Sequence, residues 1–275
     1  MNGFNEPLEA DLERRFGGLR RLYGDAGYQR LRGLRLAIVG VGGVGSWAAE
    51  ALARCGVAEL VLIDLDQVAE SNINRQVQAV GATVGQAKVH ALAARIADIH
   101  PGCLVRQVEE FAEQGNWPAL LPRPVDGLID ACDQVKAKAV LAAWALAQRV
   151  PMVCSGAAGG KRQPHRLEVD DLSAVTHDPL LASLRNRLRR EHGAPRQGRI
   201  GLRCVFSREP VLMPEAAEAC DVDGSLNCAG YGSSVMVTAS VGMMAAAELV
   251  SLCLSAPQQN AIGDAKPLQA VKSMP

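Results

Sequence analysis

The chain has 275 residues, which suffices for one large domain or two small ones with a sizeable buried core. Hydrophobic residues make up 48% of it and charged residues 21%, which is ordinary for a soluble globular protein. The 29 Lys and Arg residues balance the 29 Asp and Glu residues, so the net charge does not indicate a nucleic-acid-binding protein. Only a local basic patch would provide such binding.

Residues 1–33 precede the first predicted strand and contain two short helical stretches with basic faces, 12–16 and 19–23. This N-terminal helical arm is compatible with two interpretations. It is either a solvated arm or an arm that delivers an arginine to phosphates, in the second case in a partner subunit.

Four glycines follow the first predicted strand, an apolar run at 36–39, and precede a predicted helix at 47–55. These glycines are Gly40, Gly42, Gly43 and Gly45. A strand, a glycine-rich turn and a helix together present backbone N–H groups to a phosphate. A purely structural turn needs the same glycines, and the motif alone does not separate NAD, FAD and ATP. We favour a nucleotide site.

Polar side chains follow the second predicted strand, which ends at Asp64, roughly 20 residues after the glycines. An acid at this place usually accepts hydrogen bonds from a ribose. Residues 64–76 are dense in hydrogen-bonding groups, and ligands bind at the carboxyl ends of strands in open α/β sheets. The predicted site residues in this loop are Asp64, Asp66, Asn72, Arg75 and Gln76.

Lys88 lies in the first turn of a helix predicted to run to about residue 100. The helix dipole disfavours a cation there, so the placement predicts a bound anion. The alternative is an exposed lysine without a ligand.

A later strand ends in two acids, Asp130 and Asp133, which we predict to hold Mg²⁺ against phosphate oxygens. Strands and helices alternate as far as residue 155, including a predicted strand at 105–111. This alternation predicts an α/β fold, a Rossmann-like, doubly wound, mostly parallel sheet with helices on both faces. We expect a single ATP-binding or other nucleotide-binding domain over residues 34–255.

The segment at about 156–215 begins with a flexible glycine-rich stretch and then becomes strongly basic. Its candidate nucleic-acid-binding residues are Lys161, Arg185, Arg187, Arg189 and Arg190. The alternative is a solvated helix face with internal salt bridges.

Residues 233–255 are apolar and long enough to span a bilayer, but Glu248 and several small polar residues favour a buried helix over a membrane anchor. The eight cysteines include no C-x-x-C pair, so we expect no zinc ribbon, and we expect reduced thiols in a cytoplasm. Cys220 and Cys228 lie in polar, glycine-containing sequence and are the candidates for a functional thiol, although structural thiols are favoured. Residues 256–275 are predicted to be a disordered tail.

The order of these motifs resembles the adenylating domain of the ubiquitin-activating-enzyme superfamily, of the ThiF/MoeB type. The resemblance covers residues 14–155 and rests on Gly40-x-Gly42-Gly43-x-Gly45, Asp64-x-Asp66, Ser71-Asn72-x-x-Arg75-Gln76, Lys88 and Asp130-x-x-Asp133. It implies ATP rather than NAD. In that family the first acid binds the ribose, the Asn, Arg, Gln and Lys hold the triphosphate, and the later Asp binds Mg²⁺. The chain departs from the pattern by lacking paired zinc cysteines and by having Asp133-Gln134 in place of Asp-Asn.

Further stretches look like the tRNA threonylcarbamoyladenosine dehydratase branch, namely 15–24, 42–54, 170–180 and 184–188. This resemblance implies a cytoplasmic homodimer that uses ATP to cyclise N6-threonylcarbamoyladenosine beside the tRNA anticodon. It implies that Arg75, Lys88 and Arg15 of the neighbouring subunit offset charge at the α-phosphate. It also implies that Asp133, together with Asp130, positions Mg²⁺, and that the basic segment contacts tRNA.

Two other functions stay open. The chain could activate a ubiquitin-like sulfur carrier by adenylating its C-terminal Gly-Gly, but the missing zinc cysteines and the basic region at 185–203 weigh against this. It could instead be a sulfur-relay or scaffold protein that recruits a cysteine desulfurase and binds ATP without turning it over.

Overall fold

The computed structural model describes residues 10–211 and 231–256, and it contains one seven-stranded sheet. The strands are Arg35–Val39 (β1), Glu59–Ile63 (β2), Leu104–Val108 (β3), Gly127–Asp130 (β4), Met152–Ser155 (β5), Leu167–Asp171 (β6) and Arg203–Ser207 (β7). Their order is β3-β2-β1-β4-β5-β7-β6, and every neighbouring pair is parallel except β6 with β7. The predicted mostly parallel α/β sheet is therefore confirmed.

Seven α-helices connect or flank these strands in the described part of the chain. They are Leu12–Phe16 (α1), Gly18–Gly33 (α2), Gly45–Arg54 (α3), Lys88–Ile99 (α4), Val135–Gln148 (α5), Pro179–Glu191 (α6) and Val235–Ser255 (α7). Short 3₁₀ turns lie at Glu70–Asn72, Gly81–Thr83 and Pro164–Arg166. Residues 156–211 complete the same sheet as residues 34–155, because β7 pairs with β5 and β6 pairs with β7.

Both faces of the sheet are covered by apolar side chains. Along β1, Leu36 and Ile38 belong to one hydrophobic cluster, and Ala37 and Val39 belong to the other. This alternation follows from the two-residue period of a strand. The first cluster contains residues of α3, α4 and α7, and the second contains residues of α5 and α6. Such two-sided burial explains why the central strands β1 and β2 read as continuous apolar runs.

Helix α7 is the one helix of the described residues that has the length and hydropathy to cross a membrane. It packs against α3 and the sheet, and Val237, Val241 and Leu249 are core residues. A Cβ at Gly242 would overlap the carbonyl oxygen of Val44, so this glycine allows the two helices to approach closely. The packing agrees with the prediction of a buried helix.

The N-terminal arm packs onto the domain instead of being wholly solvated. Phe16 is buried, with its ring centroid 4.7 Å from that of His100, and Leu31 is a core residue. The Arg15 guanidinium donates hydrogen bonds to the carbonyl oxygens of Asp98 (2.8 Å) and Ile99 (2.7 Å), at the end of α4. Within its own chain, Arg15 is therefore held at the opposite end of α4 from Lys88.

Candidate functional site

A pocket opens where β1, β2, β4 and β5 end. The register places Val39 beside both Ile63 and Asp130, so the loops after these strands meet at one edge of the sheet. The predicted residues that line the pocket are Gly40, Gly42, Gly43, Asp64, Asp66, Arg75, Gln76, Lys88 and Asp133. Gly45, Asn72, Asp130 and Arg15 do not line it.

The glycines of the turn after β1 have different roles. Gly40 has a φ of 83°, and a Cβ there would lie 2.9 Å from the backbone of Ala131 and Cys132. A Cβ at Gly45 would overlap the carbonyl oxygen of Gly40, so this glycine brings the start of α3 against the strand end. Gly42, by contrast, faces open space at the pocket. Two of the glycines therefore shape the turn, and Gly42 allows a ligand to approach the backbone.

Asp64 is buried at the end of β2 and accepts two backbone hydrogen bonds. Its Oδ2 accepts from the Val41 N–H (2.8 Å) and its Oδ1 from the Asp66 N–H (2.9 Å). Burial raises the pKa of Asp64, and the Lys88 ammonium, 3.9 Å away, opposes that rise. Because a carboxylate offers about four acceptor sites, Asp64 can still accept a hydroxyl donor from a ligand.

Lys88 is the first residue of α4 and is only 6% exposed. Its Nζ lies 2.6 Å from Asp66 Oδ2. The interpretation of Lys88 as an exposed lysine is therefore wrong. The anions that offset its unfavourable place at a helix N-terminus are Asp64 and Asp66 of the chain itself, so its burial does not require a bound phosphate.

Arg75 reaches the pocket from the loop after β2. Its guanidinium donates to the carbonyl oxygen of Ser71 (2.7 Å) and to Asn74 Oδ1 (3.0 Å), and burial lowers its pKa. Asn72 does not line the pocket in this structure; its Oδ1 accepts the Ala69 N–H (3.0 Å) and closes the 3₁₀ turn, which shapes the loop that carries Arg75. Its role as a direct ligand residue stays a prediction.

The two acids after β4 are in different environments. Asp133 is half-buried at the pocket and makes no hydrogen bond or ion pair with another described residue. Asp130 is fully buried beneath the pocket, with Oδ2 3.1 Å from Lys138 Nζ and Oδ1 2.8 Å from Cys132 Sγ. The prediction that Asp130 joins Asp133 at a metal ion is therefore corrected, since Lys138 is the cation that Asp130 binds.

The donor set around Asp133 fits Mg²⁺ only together with a nucleotide. Among residues 10–211 and 231–256, no group of three His, Cys, Asp or Glu side chains forms a protein-only metal site. Mg²⁺ needs one or two carboxylates when phosphates and waters complete its shell. Asp133 provides such a carboxylate at the edge of the glycine turn.

Lys161 does not reach the solvent, contrary to its prediction as a nucleic-acid contact. It is 2% exposed, and its Nζ donates to the carbonyl oxygens of His177 (3.2 Å), Ser207 (3.2 Å) and Glu209 (2.9 Å). Burial lowers its pKa, while nearby acids raise it. Its glycine-rich surroundings suggested a flexible exposed stretch, but carbonyls about 46 to 48 residues later in the chain enclose it.

The arginines of α6 are largely engaged within the protein. Arg187 and Arg190 each lie 2.7 Å from an oxygen of Glu191. Arg185 donates to the carbonyl oxygens at the end of β6 and the following turn (3.1 and 2.8 Å), and Arg189 donates to that of Pro195 (3.1 Å). The Arg190 side chain is still 69% exposed, and the predicted nucleic-acid contact of this helix stays a prediction.

Several pocket residues were missed by sequence reasoning. Glu110 and Phe111 line the pocket because β3 ends at Val108, three residues before the predicted strand end at 111. Thr238 comes from the buried helix α7, and no local pattern connects it to the glycine turn. Residues 156–159 also line the pocket, and their glycine-rich composition was the signal that would have identified them.

The described cysteines are free thiols, and none of them forms a metal-binding group. Cys132 and Cys154 contact Asp130 below the pocket, and burial raises the pKa of both thiols well above its ordinary value. These two residues therefore behave as structural thiols. Cys220 and Cys228, the candidates for a functional thiol, lie outside the described residues.

A glycine turn, a buried acid, a lysine and an arginine around one pocket at a sheet edge define a nucleotide-binding α/β domain. The chain belongs to the ThiF family, whose profile matches residues 15–273.

Two relatives match the chain over nearly their whole length. The tRNA threonylcarbamoyladenosine dehydratase of Haemophilus influenzae is 38% identical over 247 residues, which is 89% of this chain and 95% of the relative. A crystal structure of Escherichia coli tRNA N6-threonylcarbamoyladenosine dehydratase, TcdA, in complex with ATP has a TM-score of 0.81 and 37% identity. That match covers 90% of this chain and 97% of TcdA.

A shorter similarity connects the chain to another branch of adenylating enzymes. The molybdopterin-synthase adenylyltransferase of Escherichia coli is 37% identical over 132 residues, which is 48% of this chain and 52% of the relative. The similarity to the dehydratases extends over almost twice that length, so it includes the segment after β5 as well as the nucleotide pocket.

Proposed function

We propose that this chain catalyses the ATP-dependent dehydration of N6-threonylcarbamoyladenosine in tRNA. The observation that carries the proposal is the pocket in which Asp64, Lys88, Arg75 and Asp133 surround the glycine turn, in a chain that is similar to dehydratases over nearly its whole length. The ATP complex of TcdA supports ATP as the nucleotide.

The reaction has two steps. The threonyl carboxylate is a poor acyl donor because its leaving group would be oxide. Attack of a carboxylate oxygen on the α-phosphorus of ATP forms an acyl adenylate and releases pyrophosphate. An atom of the same substituent then attacks the acyl carbon, the ring closes and AMP leaves with the former carboxylate oxygen. Because the nucleophile is tethered, proximity provides much of the acceleration.

The chain's own residues have distinct tasks in this proposal. Asp64 accepts a hydrogen bond from the ribose, and the N–H groups at Gly42 and Gly43 face the phosphates. Arg75 and Lys88 stabilise the negative charge that develops at the α-phosphate. Asp133 holds Mg²⁺, which when bound offsets phosphate charge and orients the leaving pyrophosphate.

We further propose that the protein acts as a homodimer in a reducing cytoplasm. The six described cysteines are all free, which is typical of that compartment. Arg15 is held at the end of α4, about 17 Å along the helix from Lys88, so it cannot serve the pocket of its own chain. In a homodimer, Arg15 of the partner subunit would complete the phosphate site.

To test the proposal, purified protein is incubated with ATP, Mg²⁺ and one of three candidate substrates. These are tRNA carrying N6-threonylcarbamoyladenosine, the same tRNA without the modification, and a sulfur-carrier protein ending in Gly-Gly. We expect AMP and pyrophosphate only with the modified tRNA, and a nucleoside product that is lighter by one water. Asp133→Asn should lower the turnover rate at least about 100-fold without changing the thermal unfolding temperature. Asp170→Asn, which changes a half-exposed acid of β6 that does not line the pocket, is the matched control and should retain full activity.

Three outcomes would contradict the proposal. Pyrophosphate release with the carrier protein alone would make the chain a carrier activator. If the protein bound ATP but turned over none of the three substrates, it would be a scaffold. Wild-type turnover by Asp133→Asn would remove the role given to that carboxylate.

A further inference from the structure

The loop that connects β5 to β6 leads directly from the pocket wall to exposed arginines. Residues 156–159 line the pocket, and Arg162 and Arg166 follow with exposed side chains. Exposed Arg208 lies beside them, because its N–H donates to the carbonyl oxygen of Arg166 (3.0 Å). Arg166 and Arg208 are thus neighbours on adjoining segments, and Arg162 precedes Arg166 by four residues in the loop that starts at the pocket wall; we call these three residues the loop arginines.

Two buried charged residues, Lys161 and Glu209, hold the backbone of the loop between β5 and β6 in place. The Lys161 ammonium donates to three carbonyl oxygens, as described above. Glu209 is 3% exposed, and its Oε2 accepts the N–H groups of Arg162 (2.9 Å) and Gln163 (2.8 Å). A buried cation and a buried anion thus hold the backbone that carries the loop arginines. Such a preorganised backbone lowers the entropy cost of binding a ligand.

Two of the three loop arginines make no ion pair with a described acid. In the described part of the chain, no ion pair involves Arg162 or Arg166, whereas Arg208 Nε lies 2.6 Å from Glu168. On α6, Arg187 and Arg190 share the carboxylate of Glu191, and Arg185 and Arg189 donate to carbonyl oxygens. An unpaired guanidinium is well suited to a phosphate, which it binds bidentately.

Arg162 lies close to the pocket along the chain. It follows the pocket residue Gly159 by three residues, which span at most about 11 Å. Arg187 and Arg190 follow the pocket residue Leu180 by seven and ten residues, or roughly 10 to 15 Å along α6, so both surfaces are within reach of a nucleotide at the pocket. The reacting carboxylate is attached to a base of the tRNA, so phosphates of the same and adjoining nucleotides must lie close to the pocket mouth.

From these observations we infer that Arg162 and Arg166, extended by Arg208, bind the phosphates of the tRNA next to the modified nucleotide. The inference rests on the proposed function, and it moves the tRNA contact from α6 to the loop between β5 and β6. Phosphate contacts of this kind set the register of the RNA and carry no base specificity.

The test compares two matched double variants. Arg162→Gln with Arg166→Gln changes the loop, and Arg187→Gln with Arg190→Gln changes α6. Affinity for tRNA carrying N6-threonylcarbamoyladenosine is measured by fluorescence anisotropy over a range of salt concentrations, and ATP affinity and thermal unfolding are measured alongside. For each phosphate of a single strand that the variant no longer neutralises, the slope of log K against log salt should fall by about 0.7.

We expect the loop variant to bind tRNA roughly 10- to 30-fold more weakly at about 0.1 M salt, with a slope reduced by about 1.4. Its ATP affinity and unfolding temperature should stay unchanged, and saturating tRNA should restore its turnover. The α6 variant should bind tRNA within about twofold of wild type. Equal losses in both variants, or a loss in the α6 variant alone, would overturn the inference.

Failure of this inference is distinguishable from failure of the proposed function. If wild-type protein dehydrates the modified tRNA but the loop variant binds it normally, the surface is wrong and the function stands. If wild-type protein binds tRNA through the loop arginines but converts none of it, the proposed reaction is wrong. Absence of tRNA binding by wild-type protein would reject both.

Discussion

Lys138→Met is expected to destabilise the fold beneath the pocket, because it leaves the buried Asp130 carboxylate without its cationic partner. Lys138 and Asp130 are both 0% exposed, and Lys138 Nζ lies 3.1 Å from Asp130 Oδ2 and 2.8 Å from the carbonyl oxygen of Ser155. Burial alone would lower the pKa of Lys138, but Asp130 and Cys154 outweigh it and raise that pKa, so the ammonium stays charged. Removing one partner of a buried ion pair costs about 3 to 5 kcal/mol of unfolding free energy.

For a chain of this size, 1 kcal/mol corresponds to roughly 2 to 3 °C, so the unfolding temperature should fall by about 6 to 15 °C. Thermal unfolding followed by circular dichroism at neutral pH measures this. The double variant Asp130→Asn with Lys138→Met is the control, and it should recover at least half of the loss because no unpaired charge is left. An unfolding temperature of Lys138→Met within about 2 °C of wild type would refute the reasoning.

Two further predictions concern the glycine turn and the dimer. Gly45→Ala should lower the free energy of unfolding by about 3 kcal/mol or more, because the added Cβ overlaps the carbonyl oxygen of Gly40. Gly42→Ala should fold normally and weaken ATP binding, because Gly42 faces open space at the pocket. Equal stability of the two variants in urea unfolding would contradict this prediction. Arg15→Gln and Asp133→Asn should each be inactive alone, but a refolded equal mixture should regain about a quarter of wild-type activity, since one site of each mixed dimer keeps both residues. A mixture that stays inactive would argue against Arg15 acting across the dimer.

The pocket was largely predictable from the sequence because its parts lie at the ends of parallel strands. Gly40, Asp64 and Lys88 each follow or precede an element whose periodicity is plain, and the carboxyl ends of parallel strands meet at one edge. Their convergence in the pocket therefore needed no tertiary information beyond the fold class. Phe111 was missed because nothing in the mixed polar and apolar sequence of residues 105–111 marks where sheet pairing stops, which is at Val108.

Burial of charged side chains was not predictable. Asp130 and Asp133 are three residues apart and read alike, yet one is enclosed by Lys138 and two thiols while the other lines the pocket. Lys161 reads as an exposed basic residue in a glycine-rich stretch, yet it is enclosed by carbonyl oxygens from distant segments.

The sequence by itself determined the parallel sheet, the glycine turn and the family of motifs around it, because these depend on spacing over a few tens of residues. Only the tertiary structure decided which acids and bases are paired inside and which stay available at the surface. The physical reason is that a charge is buried only where partners converge on it, and here those partners come from strands and loops far apart in the chain.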